Sequence, residues 1–181
     1  MTGDAVADPA GLAPFVRDVV DFPTPGVVFK DITPLLGDPG AFARMVDALG
    51  DPFHDARIDK VLGTEARGFI VAAPLALRFG AGFVPVRKAG KLPWQVERES
   101  YALEYGTDLL EAHRDAVAPG ERVLVVDDVL ATGGTAAATA RLAATLGAEV
   151  VGFAFLIELG FLHGRDALPA GVPVHSVLAY P

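Results

Sequence analysis

Residues 123–135 read VLVVDDVLATGGT, and this stretch decides the fold class. A run of valine and leucine ends in two adjacent carboxylates, Asp127 and Asp128, and a loop of small residues follows. Because the run is apolar on both faces, it predicts a strand buried in a parallel sheet. An alanine-rich pattern over residues 136–146 predicts a helix after the loop. The stretch therefore predicts a strand, a loop and a helix.

The predicted loop has the composition of a phosphate site. Its residues are Ala131, Thr132, Gly133, Gly134 and Thr135. Backbone N–H groups at the start of a helix bind phosphate, and glycines let the backbone approach it closely. Open α/β folds bind their ligands at the carboxyl edge of the sheet, where such a loop lies. Two acids before the loop can accept hydrogen bonds from hydroxyl groups, so we expect a sugar phosphate as ligand.

Periodicity in the rest of the chain predicts an α/β fold with a mainly parallel sheet flanked by helices. Asp38 is expected to cap a helix that begins at Pro39. Residues 88–100 mix charge, glycine and proline, so we expect a loop there. Residues 1–14 are expected to be frayed, and residues 1–181 to form a single domain. Further strands are expected over residues 58–62, 82–86, 150–156 and 174–178, and further helices over residues 15–20, 39–49, 68–79 and about 107–116.

Composition excludes several classes of function. The 181 residues carry a net charge of −8 and contain no cysteine, so thiol nucleophiles and cysteine–zinc sites are impossible. The acidic balance, without a basic tail, argues against nucleic acid or an anionic membrane as partner. No secretory signal is expected, and the most apolar run, residues 150–157, is too short to span a bilayer. A cytoplasmic protein is therefore expected.

Other catalytic motifs are missing from the sequence. His54, His113, His163 and His175 lack a paired metal-ligand spacing. The chain has no Gly-x-Ser-x-Gly, no Walker A lysine loop and no Gly-x-Gly-x-x-Gly. Serine hydrolases, nucleoside triphosphatases and dinucleotide-binding enzymes are therefore disfavoured.

Five stretches together resemble one family. Residues 123–135 resemble the 5-phosphoribosyl 1-pyrophosphate (PRPP) signature of the type I phosphoribosyltransferases. The other four resemble the adenine phosphoribosyltransferase family within that fold. They correspond to its amino-terminal hood (residues 21–32), its pyrophosphate loop (63–69) and the two ends of its mobile catalytic loop (84–93 and 101–108). The resemblance implies a type I phosphoribosyltransferase fold with a hood over about residues 21–36 and a mobile loop over about residues 88–102.

The resemblance also implies a reaction. PRPP and adenine give AMP and pyrophosphate in purine salvage, with Mg²⁺ held mainly by substrate and water rather than by direct protein ligands. A homodimer is implied as well. Two alternatives stay open: a phosphoribosyltransferase for xanthine, hypoxanthine, guanine or orotate, and a regulator that binds PRPP without catalysis.

The family's roles for the phosphate and ribose groups can be transferred residue by residue. Asp127 and Asp128 would accept hydrogen bonds from the ribose hydroxyls, and residues 131–135 would bind the 5′-phosphate. Arg67 would face the pyrophosphate, because its planar fork matches phosphate oxygens. The family often has a cis peptide in this loop. The alternative for the two acids is a helix cap, and that for residues 131–135 is an ordinary glycine turn. The alternative for Arg67 is a surface arginine.

Other roles concern the lid and the base. Arg87, Lys88 and Lys91 would form a basic lid that closes over the pyrophosphate, although a solvated basic loop is the alternative. Glu104 would handle a proton at the base, with Tyr105 beside the active centre. The adenine site would comprise Val28, Phe29 and Lys30. Lys30 departs from the arginine common in the family, because it keeps the charge but loses the bidentate fork.

Overall fold

The computed structural model describes residues 6–102 and 107–181. Single 3₁₀ turns lie at Ala13–Phe15, Asp51–Phe53, Gly160–Leu162 and Gly164–Ala167. The helices and strands, in chain order, are β1 (Arg17–Val20), β2 (Val28–Asp31), α1 (Thr33–Gly37), α2 (Pro39–Gly50), β3 (Lys60–Thr64), α3 (Arg67–Phe79), β4 (Gly82–Lys88), β5 (Val96–Ala102), β6 (Thr107–His113), β7 (Arg122–Leu130), α4 (Gly134–Thr145), β8 (Glu149–Leu159) and β9 (Val174–Tyr180).

Within the described residues the main sheet has the strand order β5-β6-β4-β3-β7-β8-β9. The five strands from β4 to β9 in this order run parallel to one another, whereas β6 is antiparallel to both β4 and β5. A separate hairpin, β1 with β2, covers residues 17–31 and includes much of the expected hood over about residues 21–36, which stays a prediction. The expectation of a mainly parallel sheet flanked by helices is thus confirmed.

After β3 the chain continues to the next strand on one side of the sheet, β4, and after β7 it continues to the next strand on the other side, β8. The connection from β3 to β4 runs through α3, and that from β7 to β8 runs through α4. Because such crossovers are right-handed, the two helices cover opposite faces of the sheet. A crevice therefore opens between the carboxyl ends of β3 and β7, at the position where doubly wound folds bind ligands.

The central strands are buried on both faces. On one face, Leu124 and Val126 of β7 pack in a cluster with residues of α2 and α3. On the other face, the alternate residues Val123 and Val125 pack in clusters with alanines and Leu142 of α4. All four β7 side chains are fully buried. This two-sided burial explains why the sequence shows a continuous apolar run rather than an alternation.

Helix α2 begins as the sequence predicts. The Asp38 carboxylate accepts a hydrogen bond from the Ala41 N–H at 2.7 Å, and Pro39 occupies the first helical position. Asp38 thereby satisfies one of the backbone donors that have no partner inside the helix. Met45 and Leu49 then project from α2 into the core.

The amino-terminal expectations were partly wrong. Residues 15–20 were expected to be helical, yet residues 17–20 form β1, whose pairing with β2 outweighs local helix preference. Residues 1–14 were expected to be frayed. Residues 1–5 lie outside the described residues, whereas residues 6–14 pack on the body of the protein. The Asp8 carboxylate accepts hydrogen bonds from the Leu12 and Ala13 N–H groups at 2.8 and 2.9 Å, and Leu12 is fully buried.

The expected loop over residues 88–100 and helix over residues 107–116 were also wrong in part. Residues 96–102 form β5, and residues 107–113 form β6, its antiparallel partner. The charged residues of β5 give no apolar signal because ion pairs hold this edge strand, as between Glu99 and Arg141 at 2.6 Å. In β6, pairing with two neighbouring strands outweighs the local capping signal at Thr107 or Asp108 that had suggested a helix.

Two smaller observations complete the fold. Strand β7 does not end at the two acids but continues to Leu130, because its pairing with β8 extends to Leu130 opposite Glu158. Among the described helices, none combines the length and the apolar character needed to cross a bilayer. That residues 1–181 form a single domain stays a prediction.

Candidate active site

A cavity of about 560 Å³ opens at the crevice between β3 and β7. The loop after β3, strand β7, the start of α4 and the β4–β6 region all contribute to its walls. Its lining comprises Thr64, Glu65, Ala66, Arg67, Lys88, Tyr101, Leu110, Asp127, Asp128 and Thr135. The fold thus brings four of the sequence-predicted groups to one place: the acid pair, the pyrophosphate loop, the end of the predicted phosphate loop (residues 131–135) and the lid cation Lys88.

The acid pair is held closely by its surroundings. Asp128 is buried, Asp127 is half-buried, and the Asp128 N–H donates to Asp127 Oδ1 at 2.9 Å. Gly68 at the start of α3 lies so near that a Cβ atom there would collide with the Asp127 carboxylate. Burial, and then the neighbouring charge of Asp128, raise the pKa of Asp127 well above its ordinary value. A ligand that donates hydrogen bonds from hydroxyl groups, or a cation, would relieve that repulsion.

The phosphate loop joins β7 to α4 and encloses a smaller cavity of about 80 Å³. Gly133 has a φ of +79°, a left-handed conformation that favours glycine, and it directly precedes the first residue of α4. The first N–H groups of α4 have no partners within the helix, and they lie at its positive end. Thr132, which is exposed, and Thr135, which is half-buried, both line this cavity near the positive end of α4.

Arg67 connects the pyrophosphate loop to the acid pair. Its Nε donates a hydrogen bond to Asp128 Oδ2, and its guanidinium group lies 4.9 Å from the centre of the Phe29 ring. The peptide bond between Glu65 and Ala66 is cis. Arg67 therefore contacts both the carboxylate next to the phosphate loop and the aromatic side chain of the hood.

The lid cations are paired with acids as well. Arg87 Nε donates to Glu65 Oε2 at 2.8 Å, and its Nη1 donates to the Lys91 carbonyl at 3.1 Å. Lys91 itself is exposed and lines neither of the two cavities described so far. The Arg87 contacts tie the pyrophosphate loop to the start of the lid.

Lys88, Asp108 and Tyr101 form a cluster at the cavity wall. Lys88 Nζ lies 3.3 Å from Asp108 Oδ2, to which the Tyr101 hydroxyl donates at 3.2 Å. The hydrogen bond to Asp108 raises the pKa of Lys88, and burial raises the pKa of Tyr101. The cluster keeps the Lys88 ammonium protonated and directs both side chains towards the same carboxylate.

A third cavity, of about 300 Å³, lies between the hood and the acid pair. Val28, Phe29 and Lys30 contribute its hood side, and Leu159 and Val129 its opposite side. Side chains alternate along β2, so Phe29 points to the face opposite Val28 and Lys30. The Lys30 ammonium bonds Asp18 Oδ1 at 2.7 Å and lies 4.1 Å from the Tyr180 ring centre. The Lys30 charge is therefore already paired with Asp18 and lies over the Tyr180 ring.

Glu104 and Tyr105 lie outside the described residues. The flanking residues Tyr101 and Asp108 belong to the cluster at the cavity wall. The roles expected of Glu104 and Tyr105 stay predictions.

Comparison with known proteins agrees with this geometry. The family model described as "Phosphoribosyl transferase domain" matches residues 44–167. The adenine phosphoribosyltransferase of Acidothermus cellulolyticus is 59% identical over 92% of this chain and 94% of its own length. That of Myxococcus xanthus is 61% identical over 84% and 83%. The chain belongs to the adenine phosphoribosyltransferase family.

Solved structures of adenine phosphoribosyltransferases have the same fold. The enzyme of Rhodothermus marinus superposes with a TM-score of 0.90 at 59% identity, covering 93% of this chain and 96% of that one. The enzyme of Saccharomyces cerevisiae, solved with an imino-altritol bisphosphate and adenine, gives a TM-score of 0.87 at 42% identity over 92% and 96%. The expected type I phosphoribosyltransferase fold is thereby confirmed.

Sequence reasoning missed several residues at the adenine phosphoribosyltransferase site. Thr64 is buried, and its hydroxyl has no hydrogen-bond partner among the described residues although it faces the main cavity. Asp108 falls in a segment that was expected to be helical, yet it lies on β6 and holds Lys88 and Tyr101. Leu159 was not singled out because it lies in an ordinary apolar strand. Only Thr64 carried a local signal, since it lies within the predicted pyrophosphate loop (residues 63–69).

The donor set fits a weakly held magnesium ion. No cluster of three or more histidine or acidic side chains suited to a metal occurs in residues 6–102 and 107–181. Mg²⁺ commonly takes one or two carboxylates, substrate phosphates and water, and the repelling pair Asp127–Asp128 offers two carboxylates beside a phosphate site. Mg²⁺ would neutralise phosphate charge at this edge.

We predict that Asp127→Asn stabilises the free protein while it impairs function. An acid whose folded pKa is raised binds more protons when folded, so its ionisation lowers stability as pH rises from the unfolded towards the folded pKa. The variant should therefore raise Tm at pH 8 by about 2–4 °C, roughly 1 kcal/mol, and the gain should vanish near pH 4. Thermal unfolding across this pH range measures it. Exposed Asp115→Asn is the control; equal gains in both variants would contradict the prediction.

Proposed function

We propose that this chain transfers the 5-phosphoribosyl group from PRPP to adenine and releases AMP and pyrophosphate. The observation that carries the proposal is the meeting of an acid pair, a phosphate loop and a hood-covered cavity at one edge of the sheet. Relatives that carry this activity in their names match nearly the whole chain. The reaction is a pentosyl transfer in purine salvage.

The phosphate loop and the acid pair would bind the two ends of the ribose phosphate. Residues 131–135 surround a cavity with the size of a single phosphate group, next to the positive end of α4. Asp127 and Asp128 precede them by a few residues and would accept hydrogen bonds from the ribose hydroxyls. Asp128 is bonded to Arg67 in the free protein, so ribose binding requires an exchange of partners.

Pyrophosphate supplies the new partner for Arg67. The guanidinium group can turn from one carboxylate oxygen to the leaving phosphate oxygens, to which its fork is matched. Arg87 and Lys88 are likewise paired with Glu65 and Asp108, at 2.8 and 3.3 Å. These cations would stabilise the charge that develops on the leaving group, and Lys91 would add to them when the lid closes.

The transfer exchanges one bond for another at the ribosyl carbon. Its bond to the pyrophosphate oxygen breaks, and the electron pair leaves with pyrophosphate. A base nitrogen forms the new bond and loses its proton. Glu104 would handle a proton at the base, with Tyr105 beside it. Residues 103–106 connect two members of the cavity-wall cluster, Tyr101 and Asp108, which supports this assignment.

The cavity between hood and acid pair would hold the base. Its walls combine Phe29 and Val28 with Leu159, and apolar walls suit a flat purine ring. Lys30 would contribute to this cavity although its ammonium group is bonded to Asp18.

Magnesium, held mainly by PRPP and water near Asp127 and Asp128, completes the proposed site. A cytoplasmic location stays a prediction.

A homodimer is part of the proposal. The outer side of α3 carries Ile70, Pro74 and Leu77 at helical spacing, and Ile70 and Leu77 are 44% and 84% exposed. Phe83 adds a further exposed apolar side chain near Phe69, with ring centres 5.6 Å apart. An apolar stripe of this kind favours burial against another chain. Since α3 begins at Arg67, a second copy would lie near the active site.

The principal test is pyrophosphate release from PRPP with each base in turn. We expect turnover with adenine, and much slower turnover with hypoxanthine, guanine, xanthine or orotate. Chelation of Mg²⁺ should abolish the activity, and added Mg²⁺ should restore it. Preference for another base would identify a different phosphoribosyltransferase. PRPP binding without turnover of any base would identify the non-catalytic regulator instead.

We expect Glu104→Gln to lower kcat by at least about 100-fold, because it removes the group that exchanges a proton with the base. The KM for PRPP should change little, since the phosphate and ribose contacts lie elsewhere. Steady-state kinetics measure both constants. Glu97→Gln, which alters an acid on β5 paired with Arg114 at 3.5 Å, is the matched control. A kcat within a few-fold of the wild type would refute the role of Glu104.

We expect Leu77→Glu to convert the homodimer into monomers, because a charge within the apolar stripe would be desolvated at the interface. Sedimentation velocity of the wild type and the variant measures the change. Phe161→Glu, which alters a 59% exposed apolar residue away from α3, should leave the dimer intact. A monomeric wild type, or a variant that stays dimeric, would show that this stripe is not the interface.

A further inference from the structure

The turn Gly164–Ala167 packs backbone to backbone against the phosphate loop. A Cβ atom on Gly133 would overlap the Gly164 carbonyl oxygen, and a Cβ on Gly164 would overlap the Ala131 carbonyl oxygen. Neither position therefore tolerates a side chain without movement of the backbone. The contact joins two segments about 30 residues apart in the sequence, so the loop takes part of its shape from the turn.

Arg165 fixes this turn to the sheet. Its Nε and Nη2 donate to the two carboxylate oxygens of Glu158 at 2.7 and 2.6 Å, which makes a bidentate pair. Its Nη1 donates to the Val174 carbonyl at 3.1 Å. The Glu158 side chain is sheltered from solvent, at 12% exposed, whereas the Arg165 side chain is 47% exposed. Three elements, β8, the turn and β9, are thus connected through one guanidinium group.

The pair lies beside the root of the phosphate loop. Glu158 is the β8 partner of Leu130, the last residue of β7 before the loop. Leu168, directly after the turn, packs with Leu130 and Ala136 in one buried cluster. The loop is therefore supported on one side by α4 and on the other by the turn that Arg165 holds. The hydrogen bond from Arg165 lowers the pKa of Glu158, as expected for a maintained ion pair.

We propose that Arg165 and Glu158 are positioning residues that set the geometry of the 5′-phosphate site through Gly164. This inference rests on the proposed function, and it concerns residues that do not touch the substrate. Backbone donors bind phosphate well only when several of them converge on it, so a small shift of Ala131 or Gly133 weakens binding. A displacement of about 1 Å can cost up to about 100-fold in an enzymatic rate.

The test compares the kinetic constants of Arg165→Gln, Glu158→Gln and Gly164→Ala with those of the wild type. We expect each variant to raise the KM for PRPP about tenfold or more, with the KM for adenine within twofold. Arg165→Lys should recover part of the loss, because lysine keeps the charge but not the bidentate fork. A purely structural role would instead lower Tm and reduce kcat without separating the two substrates.

Arg122→Gln is the matched control. Arg122 pairs with Glu149 at 2.8 Å and donates to the Arg57 carbonyl at 3.1 Å, so it also joins β7 and β8, at the opposite end of these strands. The Arg122→Gln variant should leave the KM values for PRPP and for adenine unchanged. If the Arg165 and Glu158 variants behave like this control, or raise both KM values equally, the inference is wrong although the proposed function stands. A wild type without transferase activity would instead refute the proposed function.

Discussion

Two carboxylates held side by side near the carboxyl end of β7 are the constraint on which the rest of the site depends. Their mutual repulsion and burial raise the pKa of Asp127, so this arrangement lowers the stability of the free protein. The fold maintains it through close packing: Gly68 has no side chain where Asp127 lies, and β7 is paired on both sides. Burial of strand β7 therefore maintains a repulsion that, under the proposed function, the ribose hydroxyl groups would relieve by donating hydrogen bonds.

Charge pairing explains how a chain of net charge −8 can accept a polyanionic substrate. Arg67, Arg87 and Lys88 are each bonded to a carboxylate in the free protein. Under the proposed reaction, substrate binding would exchange these carboxylates for phosphate. The Arg67 exchange would have a second effect, because it would free Asp128. Under the proposed reaction, pyrophosphate and ribose binding would be coupled through this single guanidinium group.

The parts of the fold that the sequence predicted are those with a strong local pattern. Strands β3, β7 and β8 are buried on both faces, and α2 has an N-cap and a proline, so periodicity and capping identified them. Strands β5 and β6 were missed because their order comes from mutual pairing and from ion pairs such as Glu111 with Arg98 at 2.7 Å. Pairing partners distant in the sequence leave no periodic signal in a polar edge strand.

The residues of the site divide in the same way, into those with a local sequence signal and those without one. The phosphate loop and the acid pair could be predicted because their residues follow one another in the sequence near the end of one strand. Leu159 and Gly164 were missed because each lies about 30 residues beyond the motif that it contacts and has an ordinary local context. Resemblance to a family identified the contiguous motifs only. A phosphate loop also needs a neighbouring backbone that fixes its donors, and in this chain that neighbour is a turn whose own position depends on one bidentate ion pair.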